Sequence, residues 1–72
     1  MTAYERGYGL GAQVRQAYSN EARVYALEAA LNQLLIVTEN SSGAFAWQFA
    51  RGLQDGRNGR TPAPETQAAT AA

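Results

Sequence analysis

Leu53 is the last large apolar side chain in this chain of 72 residues. The fold must be built from what precedes it, because a segment without large apolar groups cannot bury enough surface to offset the entropy of its own ordering. Alanine makes up 15 of the hydrophobic residues, so only 18 large apolar side chains are available for a core. A chain this short buries only about 60% of the surface its unfolded form exposes. Below roughly 70–80 residues one core seldom contributes more than about 3–5 kcal/mol, and natural domains of that size add disulfides, a metal or a partner chain. Cysteine and histidine are both absent, which excludes disulfides, thiolate nucleophiles, structural zinc of the usual kind and imidazole acid–base chemistry. Of the usual staples, only a partner remains.

Six arginines balance six acidic residues, lysine is absent, and the net charge is zero. A nucleic-acid binder normally carries a basic excess, since released counterions supply most of its affinity. Direct nucleic-acid binding is therefore disfavoured, although Arg51, Arg57 and Arg60 gather with only Asp55 against them and leave a small RNA- or DNA-binding role to be considered. The N-terminus lacks the basic and apolar stretches of a secretory signal. The longest run of large apolar residues, Leu34 to Val37, is far short of the ~18–20 needed to span a bilayer. A soluble, cytoplasmic protein without membrane contact is expected.

Helix signals fill the first 56 residues, and an all-α unit of three helices, at about 3–18, 21–39 and 43–56, is expected. Thr2-Ala3-Tyr4-Glu5 has the form of a capping box. Tyr4, Tyr8, Gly11, Val14 and Tyr18 then recur at helical spacing, with Leu10 and Ala17 beside them. Gly7, Gly9 and Gly11 oppose this first helix by about 1 kcal/mol each, so packing must hold it. Ser19 and Asn20 are natural caps for the second helix, with Glu21 in its first turn. Val24, Leu27, Leu31, Leu34 and Leu35 form its apolar face, Thr38 continues that side, and Asn40-Ser41-Ser42 ends it. A buried strand at Leu34–Val37 is the competing reading; a long helical pattern around the run and the lack of a partner strand favour helix. Ser42 caps the third helix, in which Phe45, Phe49 and Leu53 repeat with Ala46 and Ala50 alongside, and Gly56 is the expected stop. Residues 1–58 then form the helical domain and 59–72 a disordered tail.

Two segments read almost alike. Tyr4-Glu5-Arg6-Gly7-Tyr8-Gly9-Leu10-Gly11 and Phe49-Ala50-Arg51-Gly52-Leu53-Gln54-Asp55-Gly56 share the order aromatic, any, Arg, Gly, apolar, any, any, Gly. Small residues four apart let two backbones approach closely, so the first and third helices are expected to cross there. The alternative is that Gly56 is only a cap, Gly52 is incidental and the match is chance.

No catalytic constellation is visible, and no enzyme activity, cofactor or metal is expected. Glu5, Glu21, Glu28, Glu39, Asp55 and Glu65 are never three or four residues apart, so no helix turn pairs an acid with a base or builds a carboxylate metal site. They read as solvated. Ser19, Ser41 and Ser42 have no histidine or lysine to activate them. The glycine-rich opening follows no strand and has no P-loop lysine. The informative residues are those that break amphipathicity. Trp47, Arg51 and Gln54 point away from the Phe45, Phe49 and Leu53 stripe, and Tyr25, Ala29 and Ile36 lie opposite Val24, Leu31 and Leu34. Trp, Tyr and Arg dominate binding hot spots, which makes Trp47, Arg51, Gln54, Tyr25 and Ile36 the candidate partner-binding residues, together with Arg6, the counterpart of Arg51 in the first repeat. The other reading puts Trp47 in the core, covering a thin hydrophobic interior, and makes Tyr25 and Ile36 part of the second apolar face that the middle helix of a three-helix unit needs.

A tiny, lysine-free, cysteine-free helical chain with a tail of this kind resembles the small transcription inhibitors by which lytic phages of the Xanthomonas type bind host RNA polymerase. The likeness covers chain length, helical character and the C-terminus, and carries no binding residue across. It implies a protein that binds the N-terminal region of the polymerase β′ subunit and disturbs the σ contacts needed for promoter recognition, without catalysis. Two other readings stand beside it: a self-associating helical module, motivated by the thin core and the second apolar stripe of helix two, and a phage inhibitor of another host machine, such as a CRISPR effector.

Overall fold

The computed structural model describes residues 2–61, and these form three helices: α1 (Ala3–Gln16), α2 (Asn20–Asn40) and α3 (Gly43–Asn58). No strand occurs among the described residues, and Leu34–Val37 is helical. Each helix starts where a side-chain oxygen relieves its unpaired first-turn amides. Thr2 Oγ1 accepts from the Glu5 amide at 3.1 Å while Glu5 accepts from the Thr2 amide, closing the capping box. Ser19 Oγ accepts from the Ala22 amide at 3.0 Å, and Ser42 Oγ from the Phe45 amide at 3.2 Å.

Two helix ends differ from expectation. α1 stops at Gln16 because Ala17 is extended (φ −65°, ψ 130°), so Tyr18 leaves the α1 stripe and is fully exposed in the connection to α2. α3 runs through Gly56 to Asn58, and Gly59, in the left-handed region at φ 72°, closes it. The Gly59 amide donates to the Gly56 carbonyl and the Arg60 amide to the Asp55 carbonyl at 2.9 Å, which is the Schellman pattern. The Tyr8 hydroxyl also donates to the Arg60 carbonyl. Gly59 and Arg60 therefore belong to the folded unit and not to a tail; of the expected disordered tail, Thr61 is exposed and 62–72 lie outside the described residues.

Gly56 is needed inside the helix for a different reason. A Cβ on Gly52 would run into the Tyr4 carbonyl, and one on Gly56 into the Tyr8 carbonyl. Reciprocally, a Cβ on Gly7 would meet the Phe49 carbonyl, and one on Gly11 the Leu53 carbonyl. Backbone rests on backbone at all four positions. Because the α1 and α3 partners advance together in number, the two helices are parallel, and the eight-residue repeat places matching residues about a local two-fold running along them. The expected crossing is present, and Gly52 and Gly56 are structural. α2 connects the pair and runs antiparallel to both.

The core lies at the end where α1 begins. Ala3, Val37 and Phe49 form its buried centre, with Leu10, Leu34, Phe45 and Ala46 packed against it. Tyr4, Val14 and Ala30 are also buried. α2 departs from the arrangement its apolar face suggests, since Ala30 and Val37 are its buried residues while Val24, Leu27, Leu31 and Leu35 are exposed.

Candidate partner-binding site

α3 presents three of the six candidate residues together. Its inward stripe, Phe49, Gly52 and Gly56, is locked to α1, and the 100° step of a helix then turns Trp47, Arg51 and Gln54 to the outside. Trp47 is 61% exposed, so the core reading of this residue is set aside. The Arg51 guanidinium carbon lies 5.3 Å from the centroid of the Trp47 ring, within the range of a cation–π contact. Trp47, Arg51 and Gln54, with Ala50, Asp55 and Arg60, line a shallow depression of 370 Å³. A stacked indole and guanidinium on a rigid helix form an amphipathic shelf whose ordering entropy is already partly spent before any partner arrives.

The other three candidates lie elsewhere. Arg6 lines a groove between α1 and α2 with Gln13, Ala29, Asn32 and Gln33. Tyr25 and Ile36 are exposed and share the stripe of α2 that carries Ala29 and Asn32. The local two-fold explains why Arg6 does not join Arg51: matching positions of the repeat point to opposite sides of the α1–α3 pair. Of the three arginines near the end of α3, Arg51 and Arg60 line the same depression, while Arg57 stands apart from them. Arg51 stacks on Trp47, Arg60 lies 3.9 Å from Asp55, and Arg57 lines a different groove.

Asp55 was expected to be a solvated carboxylate, yet it is only 7% exposed. The Tyr4 hydroxyl donates to Asp55 Oδ2 at 2.6 Å in a buried bond between α1 and α3. The sequence contains a signal for this: Asp55 lies three residues after Gly52 and next to Gly56, on the edge of the glycine stripe, opposite the aromatic that opens the first repeat. Sequence reasoning also missed an open apolar groove of 440 Å³, where Leu27, Ala30, Leu31 and Leu34 of α2 face Ala50, Leu53 and Arg57 of α3 and Val14 of α1 completes the lining. Ala50 and Gln54 form the ridge between this groove and the Trp47 shelf.

No group of metal-ligating side chains is gathered among the described residues, and no helix there is long and apolar enough to cross a membrane. Comparison with protein-family models, with curated proteins and with solved structures gave no match.

Proposed function

We propose that this chain is a non-catalytic protein-binding module, of the kind a phage uses to take over its host, with bacterial RNA polymerase as its partner. The exposed Trp47 stacked on Arg51 is the observation that carries the binding role, because indole and guanidinium groups combine large desolvated area with a polar handle. The resemblance to the small phage transcription inhibitors supports the polymerase as partner and, in particular, the N-terminal region of β′, where a bound chain would obstruct the σ contacts that promoter recognition needs.

The test is direct binding of the full chain to purified polymerase, with and without σ, together with transcription from a σ-dependent promoter. The wild-type chain should bind and inhibit initiation. Trp47→Ala should keep its helical content while weakening binding by about 2 kcal/mol, roughly thirtyfold. A wild-type chain that does not bind polymerase overturns the partner assignment, and undiminished binding by Trp47→Ala overturns the role of the α3 shelf.

A further inference from the structure

We propose that two copies of this chain associate through α2, laid side by side and parallel, each helix closing the apolar groove of the other copy. The apolar surface of α2 is wider than the part that α1 and α3 cover. Ala30 and Val37 are buried, while Val24, Leu27, Leu31 and Leu35 are 41–55% exposed. These four follow spacings of three, four and four, so they form one stripe about 17 Å long. A contiguous apolar stripe on a small domain marks an interface. It continues into the groove through Leu27, Leu31 and Leu34, opposite Ala50 and Leu53, so an incoming helix is gripped from two elements. The order Val24, Leu27, Leu31, Leu34 alternates a β-branched or leucine position with leucine at the three–four spacing that parallel paired helices use.

Charge selects the occupant and its direction. Glu21, Glu28 and Glu39 run along the flank of the stripe that faces away from α3, and Arg23 lies on the flank toward α3, with Arg57 on the groove wall. Among the described residues the single ion pair is Arg60 with Asp55, so these five charges have no ionic partner within that set. A parallel second copy turns its acidic flank to the basic flank of the first. Its Glu28 then meets Arg23 five residues earlier in the first copy, the pairing that joins neighbouring flanks in parallel helices, and Arg57 lies at the same end. The two-fold makes each contact twice. An antiparallel copy sets acidic flank against acidic flank and brings Glu21 opposite Glu39, which is repulsive. With zero net charge the chain does not repel its own kind.

Sedimentation equilibrium of the full chain in the micromolar range should show a dimer. Leu31→Glu, at a site 55% exposed, should raise the dimer dissociation constant at least tenfold with helical content unchanged. Glu28→Arg, on the exposed flank, should weaken the dimer by several-fold, and adding Arg23→Glu should restore it. Because cysteine is absent, Leu27→Cys and, in a separate variant, Leu34→Cys report direction: under mild oxidation both should form disulfide-linked dimers, since a parallel pair sets each position against itself whereas an antiparallel pair can do so at one of the two at most, and Gln13→Cys should not. A monomer throughout that range, a dimer indifferent to Leu31→Glu, or a dimer in which Leu27→Cys and Leu34→Cys do not both cross-link each overturns the proposal. Polymerase binding is read separately through Trp47, so the failure of one proposal is distinguishable from the failure of the other.

Discussion

Glycine has opposite consequences at neighbouring positions of α1. Gly7 and Gly11 are pressed against the α3 backbone, whereas Gly9 faces open space. Gly9→Ala should therefore stabilise the protein by about 1 kcal/mol, since it removes a helix-interior glycine without a clash. In a domain of this size that is a rise of roughly 4–8 °C in melting temperature. Gly7→Ala should instead cost about 2–3 kcal/mol or more, because backbone atoms of Phe49 and Leu53 cannot yield without separating the helices. Thermal melts of the two variants check both signs. The buried pair Tyr4–Asp55 offers a second residue-scale test. Tyr4→Phe keeps the ring but removes the donor from a carboxylate that is almost sealed from water, a loss of about 1–3 kcal/mol measurable by urea unfolding.

At the scale of the element, α1 and α3 behave as one unit and α2 as an attachment. The glycine seam joins the first two by continuous backbone contact, and Arg15 Nε adds a bond to the Gly56 carbonyl at 3.1 Å. α2 is held mainly through Ala30 and Val37. Local opening follows buried contact, so amides in the first half of α2, around Arg23 to Leu27, should exchange faster than those of α3 from Phe49 to Gly56. Hydrogen-exchange mass spectrometry reads this, and equal protection in the two segments would contradict the packing described. Dilution should widen the difference if the second copy covers α2.

For the molecule as a whole, a core of few buried side chains leaves little stability in reserve. A two-fold pair through α2 adds free energy that depends on concentration. The melting temperature should therefore rise as the protein is concentrated, and Leu31→Glu should abolish that rise while leaving the dilute-limit value nearly unchanged. Scanning calorimetry at several concentrations makes the comparison.

Helix number, the three N-caps and the α1–α3 crossing were legible in the sequence because their causes are local or repeated: a hydroxyl before a helical run, a glycine pair four residues apart, and the same eight-residue pattern written twice. Trp47 was legible only as a residue off the Phe45, Phe49 and Leu53 stripe, in the core or outside it; the structure put it outside because Phe49, Gly52 and Gly56 take the face that meets α1. What only the tertiary structure decided was the rotation of α2, the burial of Asp55 and the end of α3. Apart from its acidic flank α2 carries apolar residues over a wide arc, Val24, Leu27 and Leu31 as well as Ala30 and Val37, so periodicity alone does not single out the inward face, and packing against α1 and α3 selected Ala30 and Val37 with Leu34 beside them. Asp55 is buried because Tyr4 comes to it across 51 positions of chain; the repeat hints at that meeting by setting Asp55 beside the glycine stripe, but only the packed helices bring the hydroxyl to the carboxylate. Gly56 could serve equally as a stop or as a contact. The choice fell on contact because α1 lies against it, and the stop passed to Gly59, whose left-handed backbone no neighbour constrains to be helical.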